Sequence, residues 1–85
     1  MATPTDNLLA ERHATHGDYA EHAQITQDLK VVITSAPGYA RLNPAQRETL
    51  DMTAHKIGRI LAGDPNFKDH WDDIAGYNVL VARML

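Results

Sequence analysis

Asn43-Pro44 and Gly63-Asp64-Pro65 bracket the one segment whose start and stop are both written in the chain, and that bracket most limits what it can fold into. Asn43 suits an N-cap and Pro44 the first helical position, where a missing N–H costs nothing. Gln46 stands three residues after the cap, able to return a hydrogen bond as in a capping box. Gly63 suits the C-terminal cap and Pro65 blocks continuation. Between them Leu50, Ala54, Ile57 and Leu61 recur at intervals of four, three and four, one apolar stripe on a helix of about 18 to 20 residues, nearly 30 Å long. In a chain of 85 residues such an element leaves room for a single domain, residues 1 to 85, around one hydrophobic core.

The remaining segments also read as helix, and no strand pattern competes. Thr5 or Asp6 can cap a short first helix that breaks at His16-Gly17, and Asp18 stands where the next N-cap is wanted. The second helix carries Tyr19, His22 or Ala23, Ile25 or Thr26, and Leu29 at helical spacing, with the β-branched Val31-Val32-Ile33 as its last turn. Ser35-Ala36-Pro37-Gly38 interrupts the chain. The last helix is expected to begin near Asn66, with Asp69 at its third position, and to end near Arg83. Trp71, Ile74, Tyr77 or Asn78, and Val81 or Ala82 mark its inner face. The expectation is an all-α protein, a small helical hairpin or bundle with long helices near 44–62 and 67–83, packed around the Leu50/Ile57/Leu61 and Trp71/Ile74/Val81 stripes.

Composition matters where it excludes chemistry. Without cysteine there is no thiolate nucleophile and no Cys-based zinc or iron-sulfur site, so any metal must sit on oxygen or imidazole ligands. The longest wholly apolar run, Val79 to Ala82, falls far short of the roughly 20 residues that span a bilayer, and no basic-then-apolar leader opens the chain. A cytoplasmic protein without a membrane partner is expected. The net charge of −3 resides entirely between Asp64 and Asp73, and the Lys and Arg residues are scattered singly, so a duplex nucleic acid partner is not expected. A core this small is readily enlarged by self-association. Leu8, Leu9, Leu80, Met84 and Leu85 lie outside the stripes, which predicts a homodimer or higher oligomer.

Candidate chemistry concentrates on the last two helices. Asp69 and Asp73, four apart, share one helix face with Cβ atoms about 5 to 6 Å apart. A Mg²⁺ or Mn²⁺ ion between them would relieve their repulsion, or both acids simply favour the positive end of the helix dipole. On the preceding helix Glu48 and Asp51 offer a second pair of carboxylates, and Lys56 and Arg59 a pair of cations. The cations either form surface ion pairs or hold phosphate oxygens. An antiparallel hairpin through Gly63-Asp64-Pro65-Asn66 sets Arg59 near Asp69 but leaves Asp51 about three turns away, near Tyr77 and Leu80. Asp72 faces solvent or pairs with Lys68, and Asp18 and His22 suit a local pair. The spacings of His16, His22, His55 and His70 match no zinc motif. Trp71 and Tyr77 can stack on a base, although Trp71 fits better as core. Gly76 in mid-helix implies that another helix or a ligand comes close there.

Three motifs carry a resemblance over residues 8 to 82: the run from Glu11 to Tyr19 with its Thr15-His16-Gly17-Asp18, the run His55-Lys56-Ile57-Gly58-Arg59-Ile60, and the run from Asp69 to Tyr77. In that order they resemble a small phage- and prophage-associated family of uncharacterised function. More distantly the layout is similar to the all-α MazG-like nucleoside triphosphate pyrophosphatases, in which a Lys-x-x-Arg helix precedes a helix bearing two acids and then a Gly-Tyr or Asn-Tyr pair. Lys56, Arg59, Asp69, Asp73 and Tyr77 match that pattern. The resemblance implies a MazG-like fold and a Mg²⁺-dependent enzyme that cleaves a (d)NTP to the monophosphate and pyrophosphate, with an oligomer completing each site. In it Asp69, Asp73, Arg59 and Lys56 are the catalytic candidates, Lys56, Arg59 and Tyr77 the substrate contacts, and Asp69, Asp73, Asp51 and Glu48 the metal ligands. The Glu-x-x-Glu pair usual in that group is missing, which keeps two alternatives open: a non-catalytic phage accessory or nucleotide-binding domain, and a helical DNA-contacting module.

Overall fold

The computed structural model describes residues 2–85 and contains four α-helices with no strand among those residues: α1 (Pro4–His16), α2 (Tyr19–Ser35), α3 (Pro44–Ala62) and α4 (Lys68–Ala82), with a short 3-10 helix, Pro37–Arg41, between α2 and α3. No helix among the described residues is long and apolar enough to cross a membrane.

The local start signals act largely as their chemistry dictates. Asn43 and Gln46 form a reciprocal capping box on α3, with N–H to side-chain oxygen distances of 2.8 and 2.9 Å, and Gly63 ends the helix. The Asp18 carboxylate accepts the Glu21 N–H of α2 at 3.1 Å. This cap, rather than a pair with His22, is where Asp18 is used. At α1 the cap is Thr3, not Thr5 or Asp6. Thr3 reciprocates with Asp6, and Pro4 occupies the first turn. α4 starts at Lys68, later than Asn66, and Phe67 at its N-cap has no side chain that can accept a hydrogen bond.

α3 is the central element. α2 lies along one side of it and α4 along the other, rather than all three closing on a common core. A helix held from two sides buries residues all round, including polar ones. Thr49, Ala54, Lys56 and Gly58 are its buried positions. Buried Gly58 lets His22 and Thr26 of α2 come close to the α3 backbone. The expected stripe is accordingly corrected: Ala54 is buried and Ile57 half-buried, but Leu61 is 64% exposed and Leu50 is exposed. On α4, Trp71 is 53% exposed, its indole N–H donating to the Pro65 carbonyl at 2.8 Å. His70 beside it is the residue that points inward, at 1%. Ala54 is the one hydrophobic residue that is fully buried among those described.

Two turns lock the bundle at one end. Gly17, between α1 and α2, has φ 78° and ψ −169°, a region open essentially to glycine alone. A Cβ there would lie inside the Ala62 carbonyl. Gly63, at the end of α3, returns the contact, since a Cβ on it would meet the Thr15 carbonyl oxygen at 2.5 Å. The Asp64 N–H donates to that carbonyl at 3.1 Å, and Nε2 of His70 lies 3.2 Å from it, which makes Nε2 the protonated nitrogen. This backbone junction fixes α1, which buries no residue of its own, against the end of α3.

Candidate anion-binding site

The junction sets the C-terminal half of α1 and the first turn of α2 across from Arg59 on α3. The space between them is a cleft of about 370 Å³ lined by Arg12, His13, His16, Tyr19, His22 and Arg59, among others. Arg12 and His16 are one helical turn apart and so share a face of α1. The cap of α2 turns His22 inward, where it is 4% exposed and packs edge-on against His55 of α3, ring centroids 4.6 Å apart. His16 makes the same edge-on contact with His70, also at 4.6 Å.

Two nitrogens at this cleft are buried without a hydrogen-bond partner among the described residues: Nε2 of His22 and Nε of Arg59. Buried polar atoms are nearly always paired, so an orphan of each kind in one cleft marks a place where a partner belongs. The charges agree. Burial pushes the His16 imidazole down to about 4, with Arg59, His70, Lys56 and Arg12 adding to the effect. Burial does the same to His55, also to about 4, again with Arg59 next in weight. His22 is lowered by burial and then by Arg59, against an interaction with the His55 backbone that raises it. Even the Arg59 guanidinium is lowered, first by burial and then by Arg12, while Asp73 and Tyr77 pull the other way. At neutral pH His16 and His22 are therefore neutral in the cleft, beside two guanidiniums that repel one another. An anion is the partner that satisfies both.

The carboxylates named from the sequence are arranged differently from a metal cage. The Asp73 carboxylate sits 2.7 Å from the Lys56 ammonium, which is buried at 7%, and this pair holds Asp73 below the usual carboxylate range. Asp72 pairs with Lys68 at 2.5 Å, one of the two arrangements expected for it. Lys56 opposite Asp73 and Thr53 opposite Asn78, at 3.3 Å, fix α3 and α4 as antiparallel. That register carries Asp51 and Glu48 still further from the turn, away from Asp69, which is exposed at the start of α4. Among the described residues no three of His, Asp and Glu converge on a point where a metal ion could be held. Tyr77 is half-buried, near enough to Arg59 to influence it. Apart from its chain neighbours and its own helix backbone, nothing among the described residues lies within 4 Å of the position a Cβ on Gly76 would take, so the close approach expected there is not made by them.

Of the residues gathered at the cleft, Arg59 alone was singled out as a ligand contact. Arg12 carries a signal that could have found it, a cation one turn before His16 at the mouth of a Gly-Asp turn, but its nearness to Arg59 depends on the junction of two loops distant in sequence. Comparisons with protein-family models, with curated proteins and with solved structures find no match to this chain.

Proposed function

We propose that the chain is a nucleotide-handling protein whose cleft takes the phosphates of a nucleoside triphosphate, and that it acts as a (d)NTP pyrophosphohydrolase, releasing a nucleoside monophosphate and pyrophosphate. The observation that carries the reading is one cleft lined by both Arg12 and Arg59, in which Nε of Arg59 and Nε2 of His22 are buried without a partner among the described residues. Guanidiniums bind phosphate oxygens in two-pronged fashion, and about 370 Å³ is within the roughly 300 to 1,000 Å³ of small-molecule sites. In hydrolysis the same groups offset the charge that builds on the departing pyrophosphate, which is most of what a protein contributes to phosphoryl transfer. Exposed Tyr19 at the rim offers a ring face for a base. The motif resemblance points to the same substrate class.

A second reading, nucleotide binding without turnover, is favoured by one observation: Asp73 is already engaged by Lys56. Calorimetric titration of dNTPs, pyrophosphate and phosphate, beside a pyrophosphate-release assay with Mg²⁺ or Mn²⁺, separates the two. Binding with turnover supports the enzyme, and binding alone supports the second reading. Arg12 is exposed on a helix that buries nothing, so Arg12→Ala leaves the fold intact and is expected to weaken triphosphate binding about 10- to 100-fold, the worth of a charge-assisted hydrogen bond. No heat with any of these ligands, or unchanged affinity in Arg12→Ala, retires both.

A further inference from the structure

We infer that a second copy of this chain docks antiparallel along α4, with Leu80 of each copy seated over Gly76 of the other. The chain on its own has more surface than its mass warrants. A compact monomer of 9.4 kDa exposes about 5,000 Å², whereas this one exposes 6014 Å². Its radius of gyration is 14.9 Å, where about 12 Å is usual for 85 residues. The excess of about 1,000 Å² is close to the roughly 800 Å² that each partner contributes to a stable interface. A single fully buried hydrophobic residue, Ala54, makes the same point from inside.

The face of α4 turned away from α3 is where that surface has the right shape and charge. Asp72, Gly76, Val79, Leu80 and Arg83 border an open groove there, and Leu80 is 60% exposed. Glycine is less favourable than alanine in the middle of a helix. Gly58 has a packing reason within the chain and Gly76 has none, which leaves a neighbour outside the chain as its reason. In an antiparallel pair with its two-fold axis near residue 78, positions 76 and 80 face each other, so the larger side chain fills the notch left by the smaller. The same register brings Arg83 of each copy toward Asp72, the acid on the outward face of the other. α4 carries Asp69, Asp72 and Asp73 near its start and is followed at its C-cap by Arg83, which makes this face complementary to its own reverse, as a two-fold contact requires.

Sedimentation equilibrium of the full chain from about 1 to 100 µM tests this. The expected species is a dimer of twice 9.4 kDa. Leu80→Asp, on an exposed helix face, should leave the circular dichroism spectrum helical and weaken dimerisation about 100-fold or more. Arg83→Glu should weaken it about 10-fold, and Arg83→Glu combined with Asp72→Arg should recover most of that loss, because the reversed pair attracts again. A monomer throughout the range overturns the inference and leaves the face to a different protein. A dimer unaffected by both Leu80→Asp and Arg83→Glu overturns it as well, by locating the contact elsewhere.

Discussion

Gly17→Ala tests the junction on which the cleft depends. The native φ of 78° with ψ −169° is a backbone state that costs a non-glycine residue about 1 to 3 kcal/mol. The added methyl also overlaps the Ala62 carbonyl and comes to 2.7 Å from the Gly63 nitrogen. These are backbone atoms that cannot rotate aside, and overpacking of this kind costs about 1 to 3 kcal/mol more. The sum, about 2 to 6 kcal/mol, is a large share of the roughly 4 to 13 kcal/mol that holds a domain of this size. At about 4 to 8 °C per kcal/mol, Tm should fall by about 10 °C or more. The chain has one cheaper response. α1 buries nothing, so it can detach with its turn and leave α2, α3 and α4 assembled. In that case the melting temperature holds better, but the ellipticity at 222 nm drops by the share of 13 helical residues and amide exchange accelerates over Pro4–His16. Where α1 detaches, Arg12 leaves Arg59, and the proposed triphosphate binding is expected to go with it. A variant that melts within about 3 °C of the parent and keeps α1 protected from exchange would refute the account of the junction.

The pH dependence has a definite sign. His16 and His55 are held at about 4 in the fold, against 6.5 when free, so between those values the unfolded chain takes up protons that the folded one refuses. The urea midpoint should be flat above pH 7 and fall as pH drops from 6.5 toward 4; an unchanged midpoint between pH 7 and 5 contradicts this. Lys56→Met removes the cation beside Asp73, and a carbon-detected NMR titration should show the Asp73 carboxyl moving back up toward its ordinary value, while no movement would mean that Lys56 is not its partner. Trp71→Phe deletes the indole donor to Pro65 and should cost about 0.5 to 1.5 kcal/mol by urea denaturation, a small effect for a tryptophan because the ring is exposed. A loss above about 3 kcal/mol would instead return Trp71 to the core.

What was legible in the sequence was local. The Asn43 and Gln46 box, Pro44, the Asp18 cap, the Gly17 break and the Gly63 stop each act within a few residues of themselves, and the helices run accordingly. The helical Val31-Val32-Ile33 was legible for a different reason, the lack of any partner strand. What failed was the direction in which helices face. An apolar stripe points to the core only when a helix is buried on one side. α3 is flanked on two sides, so Thr49, Lys56 and Gly58 go in and Leu61 stays out. On α4 Ile74, Tyr77 and Val81 are half-buried as expected, but in the first turn the inward position is His70 rather than Trp71, where it meets the Thr15 carbonyl at the junction. That carbonyl is 55 residues away in sequence, so no local pattern announces it.

The buried positions among the described residues are mostly polar. His22, Thr26, Thr49, Lys56 and His70 occupy places that leucine or valine would fill in a domain built for stability alone: His22 lines the cleft, Thr26 lies against Gly58 of α3, Lys56 pairs with Asp73 of α4, and His70 meets the Thr15 carbonyl at the junction. Burying imidazoles beside guanidiniums lowers their proton affinity and leaves Arg59 desolvated, both costs that an apolar core would avoid. Departures from the rules of stable packing gather at functional sites, because there the strained or unpaired group is completed by what it binds. A polar interior open to solvent on the Arg12 side and an apolar face outward on α4 are two halves of one arrangement. On the proposed reading the polar groups serve a bound anion, and the hydrophobic surface that an apolar core would have buried is left on the outside, on the α4 face proposed for a second copy.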